Sequence, residues 1–322
     1  MDRVLSLLHD DLKKVEQQFK QDLASDVYLI RKVGEYVFGS GGKRMRPILL
    51  LLSARLANYQ GAQHIGLASV VEFIHTATLL HDDVVDGAVL RRGQDSANAV
   101  WGNEASVLVG DFLFAKSFSI MVRAGNLEIL RILSDATTQM AEGEVQQLIS
   151  TCDLDLAEEQ YLHVVRDKTA ILIAAACEVG GVLGGLPPKD VASLAAFGME
   201  IGVAFQLMDD ALDYVADQAE FGKTSGHDLE EGKMTLPLIH ALRQATTVER
   251  ERVAEIVAME TLSDSDLQTV IELIHRYDGI GYTQTRAAQL SASAKLHLQI
   301  FPASESRSAL EVVADYVVSR RK

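Results

Sequence analysis

From Ile48 to Leu186 the chain runs for 139 residues without a proline. Proline ends or kinks regular backbone, and a fold built from many short strands and turns would be punctuated more often. The five prolines stand at 47, 187, 188, 237 and 302. Within the proline-free stretch apolar residues recur three and four apart, as at Ile48, Leu51, Leu52 and Leu56, and again at Val107, Leu108, Phe112, Ala115, Phe118, Met121 and Val122. That is helical spacing. Together with Gly, Pro and Asn/Asp breaks it predicts helices near 2–20, 25–38, 47–58, 63–86, 103–123, 126–150, 157–184, 189–217, 234–245, 248–258, 263–276, 279–299 and 304–320. No strand-like alternation persists, and there is no low-complexity tract, no repeat of 20–50 residues and no linker rich enough to divide the chain. The expectation is an all-α fold, one domain over residues 1–322, with long helices around a central space.

Apolar residues make up 48% of the 322 and charged residues 23%, the balance of a globular chain and not of a disordered one. The net charge of −15 would repel a nucleic-acid backbone, so that partner is excluded in expectation. Cys152 and Cys177 lack metal-ligand spacing; they read as packing residues in a reducing, cytoplasmic setting. The opening MDRVLSLLHDDLKK is interrupted by Asp10 and Asp11 too early to be a secretory signal. Ala170–Leu186, the most apolar stretch, carries Glu178 and four glycines and falls short of about 20 apolar residues, so it reads as a buried helix and not a membrane span.

Two acidic clusters carry the chemistry. Leu79-Leu80-His81-Asp82-Asp83-Val84-Val85-Asp86 places carboxylates at i, i+1 and i+4 near the end of an apolar helix, with Asp82 and Asp86 on one face. Like charges so placed repel, and something cationic should answer them. Oxygen ligands alone suit a hard cation such as magnesium, which takes one or two carboxylates plus phosphate oxygens. The pattern returns 127 residues later as Phe205-Gln206-Leu207-Met208-Asp209-Asp210-Ala211-Leu212-Asp213. A third copy of the letters, Leu7-Leu8-His9-Asp10-Asp11, has Lys13 and Lys14 beside it and reads as a solvated helix face.

Cations accompany the acidic clusters. Gly39-Ser40-Gly41-Gly42-Lys43-Arg44-Met45-Arg46-Pro47 is a glycine-rich approach to three cations with Pro47 at an expected helix start; it is not a P-loop, since G-x-x-x-x-G-K-[ST] is missing. Arg91-Arg92-Gly93 follows the first cluster, where guanidinium forks can hold phosphate oxygens. Lys168-Thr169 interrupts an uncharged helix, and Lys223 and Lys233 follow the second cluster. His75, seven residues before Asp82, lies on nearly the same meridian. Glu142, Glu144, Gln146 and Gln147 form a polar stretch for which spacing suggests no chemistry. The terminal Arg320-Arg321-Lys322 reads as a solvated basic tail in preference to a segment that closes over the diphosphate site.

Taken together, GGKRMRP at 41–47, LLHDDVVD at 79–86, RRG at 91–93, KT at 168–169, FQLMDDALD at 205–213, GK at 222–223 and EGKMTLPL at 231–238 resemble the trans-polyprenyl diphosphate synthases, closest to the long-chain, octaprenyl-type members. The resemblance spans essentially the whole chain. It implies an isoprenoid-synthase-type helical bundle around a cavity, with both acidic helix ends facing that cavity. It implies magnesium as cofactor, and head-to-tail condensation of isopentenyl diphosphate with an allylic diphosphate, farnesyl or geranyl, to give a chain of the kind found in quinone side chains. Residue by residue, it sets isopentenyl diphosphate against Lys43, Arg46, His75 and Arg92. The allylic diphosphate falls to Arg91, Lys168, Lys223 and Lys233, and to metal held by Asp82, Asp86 and Asp209. Asp83, Asp210 and Asp213 complete or orient the coordination shells, and Thr169 and Gln206 present oxygen dipoles to the carbocation. A homodimer is implied as well, with membrane contact for product release.

Product length follows from sterics. Thr78 and Ala77, four and five residues before Asp82, lie about 6 to 7.5 Å down the helix. Both are small, and in the family resembled large aromatics there block the growing tail. A plain helical wheel favours Thr78, while Ala77 leans on the resemblance; the floor is expected deeper, at Phe118 or Met121. Three rivals are weaker. An HD-type phosphohydrolase would use His75, His81 and Asp82 but leave the second acidic cluster idle. A non-catalytic subunit would not keep both acidic motifs whole. A terpene cyclase has no use for Lys43, Arg46 and His75.

Overall fold

A computed structural model describes residues 1–39, 41–91, 93–215, 226–259 and 261–320. Arg92, Lys223, Arg321 and Lys322 lie outside these residues. The helical spacing is realised as α1 (Asp2–Leu7), α2 (His9–Asp22), α3 (Tyr28–Gly39), α4 (Met45–Leu56) and α5 (Gln63–Val85). A hairpin of β1 (Leu90–Arg91) and β2 (Gln94–Asp95) follows, then α6 (Ala97–Trp101), α7 (Asn103–Ala124), α8 (Leu127–Ile149) and α9 (Glu158–Val165). Next come a π-helical turn (Arg166–Ala170), α10 (Ile171–Leu183) and α11 (Pro188–Asp213). The remainder is α12 (His227–Glu230), α13 (Leu236–Gln244), α14 (Thr247–Val257), α15 (Asp264–Arg276), α16 (Gly279–His297) and α17 (Glu305–Ser319). The fold is all-α, as expected.

Two compact units are distinguished. The first comprises Met1–Thr137, Ala175–Ala195 and Phe301–Leu310, the second Thr138–Ala174, Ala196–Ile300 and Glu311–Lys322. In the first, α5 is the central helix and packs on α2, α3, α4, α6 and α7. Leu67, Val70, Val71, Phe73, Ile74, Ala77 and Leu80 are fully buried along it. Phe19 of α2 stacks on Phe38 of α3 at 3.8 Å and on Phe73 of α5 at 4.3 Å between ring centroids, which ties three helices to one aromatic column. In the second unit α13 packs on α15 and α16, with Leu236, Leu238, Ile239 and Leu242 buried.

Several expectations need correction. Helix 2–20 is broken at Leu8. The third acidic copy is a solvated face only in part: His9, Asp10, Lys13 and Lys14 are exposed, but Asp11 is buried, and its carboxylate takes Arg55 of α4 at 2.8 Å and Lys14 at 3.5 Å. Local lysines were visible in sequence; the arginine 44 residues away was not. Helix α4 starts at Met45, so Pro47 is its third residue, still in the first turn where a missing N–H is harmless. The two-residue strands, registered Leu90↔Asp95 and Arg91↔Gln94, are too short for alternation to announce them. Cys177 is buried as a packing residue should be, whereas Cys152 is exposed. Helix α10 is buried, while the two helices long and apolar enough to cross a membrane, among the described residues, are α7 and α11.

Close helix approach is set by small residues. A Cβ on Gly180 of α10 would lie 2.5 Å from Ser53 Cβ, 2.7 Å from Leu50 O and 2.8 Å from Ala54 N on α4. Two of these are backbone atoms that cannot swing aside. Gly180→Ala is therefore expected to cost about 1–3 kcal/mol, read as a lower midpoint in urea or thermal unfolding. A midpoint equal to that of the parent chain would show that α4 and α10 separate without cost.

Candidate active site

Along α5 the burial pattern sorts the first acidic motif. His75, Thr78, Leu79, Asp82 and Asp86 are half-exposed and recur on one stripe, while Ala77, Leu80 and Asp83 turn inward. Asp83 is 1% exposed; its carboxylate takes the Arg91 Nε of β1, and its carbonyl accepts from Asn98 Nδ2 at 3.1 Å. The middle aspartate thus anchors the hairpin to the helix end through the Nε of Arg91. Asp82 and Asp86 are the members left on the open stripe. Thr78 donates its hydroxyl to His75 O at 2.8 Å, so an apolar tail beside it would strand no polar group. Phe118 of α7 is half-buried and Met121 is buried.

The basic loop enters the same unit between α3 and α4. Lys43 is exposed and Arg46 half-buried. Arg44 adopts φ 48°, ψ 33°, a left-handed conformation costing a residue with a Cβ roughly 1–2 kcal/mol. Its guanidinium donates to Glu72 Oε2 at 2.9 Å and to Phe38 O at 2.8 Å. Of the three cations seen in sequence, this one is neutralised within the fold.

In the second unit the end of α11 treats its motif in parallel fashion. Asp210 is 3% exposed and accepts hydrogen bonds from the Tyr161 hydroxyl of α9 and from Gln206 Nε2 at 2.8 Å. The Gln206 carbonyl oxygen in turn accepts from the Thr169 hydroxyl at 3.1 Å. Burial pushes the Asp210 carboxyl up to about 7, against the opposing pull of the two hydrogen bonds. Burial also raises Asp213, which accepts from Asp228 N at 3.0 Å, and lifts Asp228 well above the ordinary carboxylate range. Asp209 remains 43% exposed in its side chain and pairs with Arg320 Nη1 at 2.7 Å.

Lys168 and Thr169 lie in the π-helical turn, an irregularity that recurs at functional sites. Lys168 Nζ meets Glu144 Oε2 of α8 at 2.5 Å. Gly143 and Gly202 make room for the widened turn, since a Cβ on either would lie 2.6 Å from Lys168 N or Ala170 Cα respectively. Lys233 is paired with Glu231, and its backbone N–H donates to Asp228 O at 2.8 Å.

Sequence reasoning missed Tyr161, Asp228 and Glu72 and left Glu144 without a role, since none of them carries a local spacing signal. Arg320 is a correction: its side chain is 2% exposed, donates to Phe205 O at 2.5 Å and lies 4.0 Å over the Phe205 ring, so this residue is not part of a solvated tail. A signal did exist, for Arg320 continues the buried stripe Leu310, Val313, Val317 at helical spacing.

Among the described residues no group of three or more His, Cys, Asp or Glu side chains is arranged to hold a metal ion unaided. The half-exposed donors are hard carboxylate oxygens, one or two to a helix face. They fit a hard divalent cation that completes its shell with water and phosphate oxygens, and not a closed structural zinc site.

Comparison with known proteins agrees with this chemistry. The family model described as polyprenyl synthetase matches residues 27–274. The chain is 41% identical over 320 residues to octaprenyl diphosphate synthase of Escherichia coli (strain K12), covering 99% of each chain. The crystal structure of a polyprenyl synthase from Caulobacter crescentus CB15, complexed with calcium and isoprenyl diphosphate, superposes with a TM-score of 0.96 at 42% identity, covering 100% of this chain and 98% of that one. A decaprenyl diphosphate synthase from Rhodobacter capsulatus gives 0.95 at 42% identity, with 100% and 99% covered. Fold and site together define an all-α isoprenoid synthase that transfers prenyl groups. The chain belongs to the polyprenyl synthetase family, whose members condense isopentenyl diphosphate with allylic diphosphates to give long trans-polyprenyl diphosphates.

The turn that carries Lys168 and Thr169 gives a direct test. Gly202→Ala should force Ala170 and its neighbours outward, destabilising the protein by about 1–3 kcal/mol and lowering turnover at temperatures where it stays folded. Unchanged turnover in steady-state assays would show that the placing of the turn is immaterial.

Proposed function

We propose that this chain is a magnesium-dependent octaprenyl diphosphate synthase that extends farnesyl or geranyl diphosphate with isopentenyl diphosphate. The observation carrying this reading is the open stripe of α5, where His75, Asp82 and, at the C-cap, Asp86 share one half-exposed face while Ala77, Leu80 and Asp83 beside them turn inward. In this reading Lys43, Arg46, His75 and Arg92 bind isopentenyl diphosphate. Arg91, Lys168, Lys223 and Lys233 bind the allylic diphosphate, and Asp82, Asp86 and Asp209 hold the metal, with Asp83, Asp210 and Asp213 supporting them. Bound magnesium supplies Lewis-acid charge to the leaving diphosphate. The cationic side chains prepay the rest, fixed before the C–O bond ionises, which is the form of preorganisation that usually contributes most.

Thr169 and Gln206 face the developing carbocation with oxygen. The Thr169 hydroxyl proton is committed to Gln206, which leaves the Thr169 oxygen lone pairs to be presented, and one of the two Gln206 amide N–H groups is committed to Asp210. The isopentenyl double bond attacks the allylic cation, the new C–C bond forms, and the proton lost goes to the released diphosphate. No side chain is assigned as general base.

The whole chain acts in this reading as one catalytic domain, working in the cytoplasm as a homodimer and touching a membrane when it releases product. A second copy would cover the exposed apolar residues Val107, Leu108 and Val122 of α7, a helix only a third buried in its most apolar window.

Incubation with labelled isopentenyl diphosphate, farnesyl diphosphate and magnesium, followed by product sizing, should give octaprenyl diphosphate; absence of any elongated product refutes the reading. Asp82→Ala should lower turnover by at least about a hundredfold while leaving the melting temperature equal or higher, because it relieves carboxylate repulsion; near-normal activity would refute the metal assignment. For length, Ala77→Phe and Thr78→Phe should both shorten the product on chromatography. Ala77→Phe should also lower the melting temperature, since Ala77 is fully buried beside Phe73 and Leu113. Unchanged length in both variants would place the limit elsewhere.

A further inference from the structure

We propose that Arg44 is a positioning residue for the isopentenyl diphosphate subsite, with Glu72 as its anchor. The inference rests on the reading of Lys43, Arg46 and His75 as that subsite. Arg44 has a left-handed backbone at φ 48°, a conformation that glycine, asparagine and aspartate adopt far more readily. Something in the fold must hold it there. Its guanidinium bridges two other helices, donating to Glu72 on α5 and to the Phe38 carbonyl on α3, and it stacks 3.8 Å from the Phe38 ring centroid. Phe38 is itself fixed in the column with Phe19 and Phe73, and Phe73 is the neighbour of Glu72. The cation therefore rests on a rigid aromatic base and reaches a carboxylate that is 4% exposed.

An ion pair with its carboxylate buried and its guanidinium 22% exposed is a poor source of stability compared with apolar packing in the same volume, so its presence asks for a geometric role. Here the geometry is specific. Arg44 stands between Lys43 and Arg46, and its carbonyl accepts from Ile48 N at 3.0 Å, which starts α4. Glu72 lies one turn before His75 on the open stripe of α5. One clamp thus sets both the cations of the loop and their distance along α5 from the histidine. Arg44 does not touch phosphate: its charge is spent on Glu72, and it acts through its neighbours.

The test compares Arg44→Ala, Arg44→Lys, Glu72→Gln and the double variant Arg44→Ala/Glu72→Gln with Lys43→Ala as control, in the full chain with magnesium. KM is measured for isopentenyl diphosphate and for farnesyl diphosphate, kcat at saturation, and folding by circular dichroism. Arg44→Ala should raise KM for isopentenyl diphosphate by at least about tenfold, with KM for farnesyl diphosphate changed by less than about twofold. Glu72→Gln should move the same constant in the same direction. Arg44→Lys should recover part of the loss, since a lysine can pair with Glu72 but lacks the fork and the stacking plane. The double variant should match Arg44→Ala, because the two side chains act as one device.

If Lys43→Ala raises KM for isopentenyl diphosphate and Arg44→Ala does not, the subsite stands and the positioning role is overturned. Equal rises in both KM values, or a lower melting temperature with neither changed, mark a merely structural clamp and overturn it too. No effect of Lys43→Ala on KM for isopentenyl diphosphate overturns the subsite and the proposal together. Should Arg44→Ala fail to fold, Arg44→Lys and Glu72→Gln still decide by the same split between the two substrates.

Discussion

Negative charge concentrated at the ends of apolar helices is the constraint to which the rest of this structure responds. Two carboxylates about 6 Å apart repel by roughly 3 kcal/mol at an effective dielectric of about 20, against a few tenths when fully solvated on a helix surface. Partial burial therefore turns a tolerable repulsion into one that must be answered. In both motifs the answer is division of labour. The middle aspartates, Asp83 and Asp210, are buried and bonded within the fold, while the outer members Asp82, Asp86, Asp209 and Asp213 stay half-exposed.

The two ends solve the burial differently. Asp83 meets the guanidinium of Arg91, a full opposite charge delivered by the hairpin. Asp210 meets only the uncharged donors Tyr161 and Gln206, and burial carries its carboxyl up to about 7. A carboxyl in that range holds a proton far more readily than an ordinary aspartate, which reduces the charge that Asp209 and Asp213 must bear beside it. Asp209 is further met by Arg320, whose aromatic contact with Phe205 and hydrogen bond to the Phe205 carbonyl hold the last turn of α17 on α11.

Much of the fold was legible because its signals are local. Three-and-four spacing and the absence of proline located the long helices, and the ends missed their marks by a few residues where Pro47 and Leu8 shifted a start or a break. The acidic motifs were legible for the same reason: i and i+4 share a face whatever the tertiary structure. What stayed hidden depends on long-range pairing. Nothing near Asp11 announces Arg55, nothing near Arg44 announces Glu72, and a tyrosine in α9 carries no mark of the aspartate it meets 49 residues later. The π-helical turn is likewise invisible locally, because the glycines that accommodate it, Gly143 and Gly202, sit on other helices.

The same division runs through the basic loop and bears on how such motifs are read. GGKRMRP offers three cations, and Arg44 is consumed by Glu72 and Phe38. DDVVD and DDALD offer three carboxylates each, and the middle one of each is buried in its own scaffold. A dense motif is thus a mixture of groups that act and groups that hold them in place, and the two kinds are chemically identical in sequence. Among the carboxylates burial marks the difference: Asp83 and Asp210 are taken out of water with partners supplied by the fold, whereas Asp82, Asp86 and Asp209 keep an edge open to water that a metal can approach. The number of charges in a motif therefore overstates the number of ligand contacts it can make, and the surplus charges are those that hold the helices at working distance.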